Sequence, residues 1–184
     1  MNRSTIDKVL STIGLLMTAV LLVASAGLFF TQNFIHTQIA QQLEPQKIFF
    51  PATESAALNA LPAIDKEAVS KYAGQQVVTG AQANVFANNY IAAHIKTISG
   101  NKSYSELSTE SRSNPTDTAL AGKVDTVFKG ETLRGMLLNA YAFDSMATVA
   151  LFAAYGTAIA GVVMLVLSLF GFSHSQRAAI TKKK

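Results

Sequence analysis

Two long apolar stretches without a charge bracket a middle of mixed polarity. The first covers residues 9–31 and the second residues 145–172. A bilayer core roughly 30 Å thick is crossed by about 20 apolar residues of helix. Both stretches are long enough. Inside hydrocarbon each backbone N–H and C=O needs an internal partner, so both are predicted to be helices. The middle, residues 32–144, has no long alternation of apolar and polar positions, so a sheet is not expected there.

Within the middle, apolar positions recur at helical spacing. Phe34, Ile35, Ile39 and Leu43 form a narrow stripe that carries the first helix beyond its apolar stretch to about Leu43, just before Pro45. Residues 47–51 are a short apolar segment. A short helix is predicted over 53–61 with Thr53 as its N-cap, and another over 65–72 with Asp65 as cap. Residues 75–79 suit a very short extended piece. Residues 81–99 are the clearest element, with Phe86, Tyr90, Ile91, Ile95 and Ile98 on one face and His94 beside them. Gly100 fits the left-handed closing position. Ser103 and Glu106 form a capping box that starts a further helical turn. The polar residues 108–118, with Pro115, read as a loop. Residues 119–144 are helical again and run without proline into the second apolar stretch, with Gly130 as a possible break or cap. No internal repeat of fixed period is evident.

Charge sets the expected topology. The net charge is +4, and the middle is balanced, with nine cations against ten anions. The excess lies in Arg3, Lys8, Arg177 and Lys182 to Lys184, close to the two apolar stretches. Cations near spans face the cytoplasm, so both termini are expected there. The terminal lysines read as a topology anchor on anionic lipid. The Ala24-Ser25-Ala26 step is a rival signal, a cleavage site, but the apolar run continues past it and favours a retained anchor. With no basic face on the middle, nucleic-acid binding is not expected. There is no cysteine, which excludes disulfides and thiolate chemistry.

The expected fold is an all-α integral membrane protein. Two transmembrane helices form a hairpin, and a helical extracytoplasmic domain is inserted between them. Its parts are a cytoplasmic N-terminus (1–8), helix one (9–31), the domain (32–144), helix two (145–172) and a basic tail (173–184).

Candidate chemistry is sparse. His36, His94 and His174 fall in three separate elements, and none has spacing that puts two ligands on one helix face. His36 has no acidic neighbour in the chain. Glu106 and Glu110 are explained by capping and by solvent exposure. No catalytic residue, cofactor or metal is therefore expected, and the protein is read as a non-enzyme. The remaining candidates are for partner binding. Ala150, Ala154 and Ala158 recur at every fourth residue, as do Ala153, Thr157 and Gly161; small residues at this spacing let helix backbones approach closely in lipid. The first stretch offers Gly14 and Thr18 likewise. They serve either packing between the two spans or docking on another membrane protein. Arg134 and Asp144 precede the second stretch, and suit interfacial anchoring or a salt bridge to a partner subunit.

Several short motifs occur in order: Lys71-Tyr72-Ala73-Gly74-Gln75-Gln76-Val77, then His94, Gly100-Asn101-Lys102-Ser103-Tyr104-Ser105-Glu106-Leu107, and Leu133-Arg134. On these the chain resembles a family of small two-span membrane proteins of actinobacteria. It departs from the family pattern at Asn101, where a second glycine stands, and over residues 52–63. The resemblance implies structural roles: Gly74 and Gly100 as helix ends, Tyr104 as a core anchor and Glu106 as a cap. In size and topology the chain is also similar to accessory subunits of actinobacterial respiratory supercomplexes. That likeness implies the lipid bilayer and a cytochrome bcc complex or terminal oxidase as partners. The expected function is a non-enzymatic accessory or scaffold subunit in the plasma membrane. The alternatives are a membrane-anchored extracytoplasmic binding or sensor module, against which the short tails speak, and, last, a membrane enzyme.

Overall fold

The computed structural model describes residues 3–181, with side chains described to residue 177. Lys182, Lys183 and Lys184, expected to anchor the tail, lie outside the described residues. Among the described residues there are seven α-helices: α1 (Arg3–Leu43), α2 (Ala56–Asn59), α3 (Ala63–Ser70), α4 (Gly80–Val85), α5 (Ala92–Ser99), α6 (Tyr104–Ser113) and α7 (Thr118–Thr181). A 3-10 turn (Glu44–Gln46) follows α1, and a π-turn (Phe86–Ile91) joins α4 to α5. No strand occurs among the described residues; one isolated antiparallel bridge pairs Phe49 with Gln76. The chain is thus all-helical, and α1 and α7 are each long and apolar enough to cross a membrane.

The chain divides into two compact units: residues 1–34 with 147–184, and residues 35–146. The first is an antiparallel helix pair. Its seam is built from small side chains every seventh residue. On α1 these are Ser4, half-buried, and the buried Ser11, Thr18 and Ser25. On α7 they are Ala147, Ala154, Gly161, Ser168 and Ser175, all buried. A sustained seven-residue period is that of left-handed helix pairing. The sequence reading did not pick out this seven-residue spacing. Its members are too small and too mixed in polarity to register as a hydrophobic pattern.

Apart from that of Ser11, the seam hydroxyls have hydrogen-bond partners among the described residues. Ser25 Oγ donates to the Ala154 carbonyl at 2.8 Å, across the pair. Ser4 and Ser175 hydroxyls lie 3.1 Å apart, and Ser175 Oγ donates to the Ser4 carbonyl at 3.0 Å. Thr18 and Ser168 each donate to the carbonyl four residues earlier. The outside of the pair is the reverse in character, with Leu16, Val23, Phe152, Ile159 and Phe170 among the large exposed side chains.

The second unit, residues 35–146, has its own core. Ile39 and Leu43 from the end of α1, and Leu120, Val127 and Leu137 from α7, join Phe50, Val69, Val77 and Phe86 in one cluster. Phe50 is 2% exposed, and its ring lies 5.3 Å from Tyr72 and 5.2 Å from Phe86. Neighbouring Phe49 points outward. The segment is held by Phe50 N–H to the Gln75 carbonyl and Val77 N–H to the Ile48 carbonyl, both 2.9 Å.

Local chemistry moves several boundaries from their expected places. The helix expected over 53–61 shrinks to α2, capped by Ser55 rather than Thr53. Glu54 is left-handed (φ 62°), so no helix passes through it. Helix α3 starts at Ala63 after Pro62, two residues before the expected cap. Asp65 sits in its first turn and instead accepts from Asn89 Nδ2 at 2.9 Å. Thr79 and Gln82 form a second capping box that starts α4. Residues 108–113, expected as loop, continue α6. The Ser103 box nucleates this helix, and Arg112 donates back to Ser108 and Thr109, so local bonds outweigh polar composition. Only 114–117 remain as a connection, and the Asp117 carboxylate caps α7 by accepting from Leu120 N–H at 2.9 Å.

Gly100 closes α5 at φ 63°, and Gly74 (φ 72°) turns the chain after α3, as expected. Gly130 breaks nothing, since α7 runs through it. Its missing side chain admits Ile95, whose carbons lie 3.0 Å from where a Cβ would stand. Tyr104 is not a core anchor: it is exposed and stacks on Phe128 at 5.5 Å, while Leu107 takes the buried place. Ile98 is likewise at the surface.

Candidate functional site

The partner-binding candidates on α7 separate by face. Ala154 and Gly161 are buried in the seam, and Ala150, Thr157 and Ala158 are half-buried. A Cβ on Gly161 would stand 3.0 Å from Leu22 Cδ2, so the backbone is close to α1 there. Thr157 Oγ1 donates to the Ala153 and Ala154 carbonyls. Ala153 is exposed, and so are Gly156 and Ala160 on the same outward face. Nothing lies within 4 Å of a Cβ built on Gly156. The period-four pattern read from sequence therefore merges two faces, one turned to α1 and one turned outward.

The two charged candidates are engaged within their own unit. Arg134 Nη2 donates to Asn88 Oδ1 at 3.1 Å, in the π-turn, and Nη1 donates to Glu131 at 3.2 Å. A π-turn arises where one extra residue is accommodated in a helix. Here it aims Asn88 at α7 and Asn89 at α3. Asp144 Oδ1 lies 3.3 Å from His36 Nε2, which corrects the expectation that His36 has no acidic neighbour. The two are far apart in sequence and meet because α1 and α7 flank each other in this unit. Asp144 also packs on Gly80 at the N-terminus of α4, where a carboxylate complements the helix dipole. A Cβ at Gly80 would overlap the Asp144 Cβ and stand 3.0 Å from the Ala140 carbonyl. Gly80→Ala is therefore expected to destabilise this unit by about 1–3 kcal/mol, the usual cost of overpacking. Chemical denaturation followed by circular dichroism would read it.

His94 Nδ1 lies 2.8 Å from the Tyr90 carbonyl, and its ring is 4.5 Å from the Tyr90 ring. Among the described residues no three His, Asp or Glu side chains converge as a metal site. Glu110 pairs with Lys102. Glu106 accepts from Ser103 N–H at 2.8 Å and Ser103 Oγ at 2.7 Å. Those bonds, the backbone one first, with Lys102 adding to them, hold its pKa below the ordinary carboxylate value. A lowered folded pKa stabilises above the unfolded value and is lost as pH falls through the folded one. Hydrogen exchange at the start of α6 is thus expected to accelerate selectively as pH falls below about 4.5, its chemical pH dependence removed. In Glu106→Gln this selective change should be absent.

At the end of the helix pair that carries Arg3, Lys8 and Arg177, the seam opens into a cavity of about 640 Å³. Gly14 and Gly171 line it, packed by the Ser168 and Ser11 hydroxyls, and Leu10, Met164 and Phe170 contribute apolar walls. Asp7, His174 and Arg177 stand at its polar end. His174 Nε2 is 4.0 Å from Asp7 Oδ2. Sequence reading placed His174 and Asp7 in the tails and drew no site from them. The heptad step from Ser11 to Ser4 and from Ser168 to Ser175 was the signal that would have brought the two tails together.

No protein-family model, curated protein or solved structure matches this chain.

Proposed function

We propose that the protein is a non-enzymatic integral membrane accessory or scaffold subunit, with α1 and α7 spanning the bilayer as a hairpin. The observation that carries this reading is the inverted helix pair, with serine, glycine and alanine inside and leucine, valine and phenylalanine outside. Only 11% of the most apolar window of each helix is buried. A core helix of a water-soluble protein would be mostly buried, whereas lipid rewards the opposite arrangement. The bonds from Ser4 and Ser25 to α7 favour retention of α1 over its cleavage. Arg3, Lys8 and Arg177 favour cytoplasmic termini, which leaves residues 35–146 outside.

In this reading the outward small-residue face around Ala153, Gly156 and Ala160 takes a helix of a core subunit. The respiratory assignment follows the resemblance stated above, with a cytochrome bcc complex or terminal oxidase as partner. The test is affinity purification of the tagged chain from native membranes in mild detergent, with a redox difference spectrum and mass spectrometry. Haem bands and oxidase subunits at fixed stoichiometry support it. A colourless preparation of the chain alone overturns it in favour of a membrane-anchored binding module. Gly156→Leu is expected to lower partner recovery by about tenfold, equivalent to roughly 1.4 kcal/mol, without loosening the hairpin.

A further inference from the structure

We propose that the cavity at the charged end of the hairpin binds a phospholipid with a primary ammonium headgroup, of the phosphatidylethanolamine class. This rests on the bilayer location proposed above. Asp7 Oδ2 is shielded from solvent and has no hydrogen-bond partner among the described residues. His174 Nε2 is 4.0 Å away, too far for a hydrogen bond. A buried carboxylate oxygen without a donor is costly, and a compact ammonium with three N–H donors relieves it.

Arg177 lines the same cavity, one turn beyond His174 on α7. A guanidinium presents paired donors that match a phosphate. The opposite charges of Asp7 and Arg177 at one mouth suit a zwitterion better than an anion. Below them the character changes. Leu10, Met164 and Phe170 make an apolar trough beside Gly14 and Gly171, against which the Ser168 and Ser11 hydroxyls pack. From Asp7 to Gly14 the helix rises roughly 10 Å, deep enough for the start of an acyl chain. In the register that pairs Ser4 with Ser175, Arg177 lies farther out than Asp7, so the headgroup lies across the mouth, its phosphate outward at Arg177 and its ammonium turned in to Asp7, with the acyl chain following the trough.

The test uses the full-length protein, delipidated in detergent and offered phosphatidylethanolamine, phosphatidylcholine and phosphatidylglycerol at equal concentration, with retention read by native mass spectrometry. Phosphatidylethanolamine is expected to be retained about tenfold over both others. The choline lipid carries the charge without N–H donors, and the glycerol lipid carries no cation. Asp7→Asn should bring phosphatidylethanolamine down to the level of phosphatidylcholine. Arg177→Gln should weaken both lipids alike and keep their order.

Equal retention of all three, or preference for phosphatidylglycerol, overturns the proposal. So does an unchanged Asp7→Asn protein whose hairpin is intact by the cysteine cross-link set out in the Discussion. Displacement of the lipid by equimolar soluble phosphoethanolamine would overturn the acyl part and point to a free ligand. Failure of the bilayer reading is separate: the protein would leave membranes at alkaline pH without detergent.

Discussion

Replacing Gly14 by leucine is expected to force the hairpin apart. A Cβ alone at this position would overlap Ser168 Oγ and lie 3.3 Å from its Cβ, with Met164 Sδ at 3.7 Å. These neighbours sit on a helix backbone and cannot withdraw without moving α7. Overpacking of this kind costs about 1–3 kcal/mol, and more where backbone must shift. In lipid there is no hydrophobic gain from association to offset it, because the outside of each helix is as well solvated as the seam. The chain's lack of cysteine offers a clean readout. Ser4→Cys with Ser175→Cys places two thiols where hydroxyls now lie 3.1 Å apart. A protease site in the 114–117 connection then lets a denaturing gel show whether the halves are joined by a disulfide. Oxidation should join them nearly fully with Gly14 present, and about tenfold less with leucine there. Full cross-linking in the leucine variant would mean that the seam is not the close contact described.

Phe50→Ala is expected to cost about 3–5 kcal/mol in the stability of the unit formed by residues 35–146. Phe50 is the hinge of an aromatic series, between Tyr72 on one side and Phe86 on the other. Phe86 in turn lies 4.9 Å from Tyr90. Removing the ring leaves a cavity that helices cannot collapse into, because the Phe50 backbone is tied to Gln75. Phe49→Ala is the matched control. Phe49 is 55% exposed, and its loss should stay within about 0.5 kcal/mol, unless a partner covers it. Urea unfolding of the full chain in detergent, followed by tyrosine fluorescence, distinguishes the two. Equal effects would mean that the inward and outward residues of this segment are misassigned.

Some elements were legible for plain reasons. An uncharged run of helix length has one stable state in hydrocarbon, so the two long helices follow from composition. Gly100 and the Ser103–Glu106 box act through bonds within four residues, and both appear where expected. Leu43 ends α1 because Pro45 follows it. The Thr79–Gln82 box was equally local and could have been read from its spacing.

The rest depended on contacts that sequence spacing does not contain. Residues 108–113 are polar enough for a loop, yet a capped helix with paired side chains continues through them. His36 and Asp144 meet across most of the chain, and no local pattern announces such a pair. The seam was hidden for a deeper reason. In water an inward face is marked by large apolar residues against a polar background. In a helix that is apolar all round, the inward face is marked only by smallness, and Ala153, Ala154, Thr157, Ala158 and Gly161 offer several competing faces. Composition decides that these helices form and that they are apolar enough to cross a membrane. Which faces meet is decided by where two backbones approach most closely, a property of the pair that neither helix carries alone.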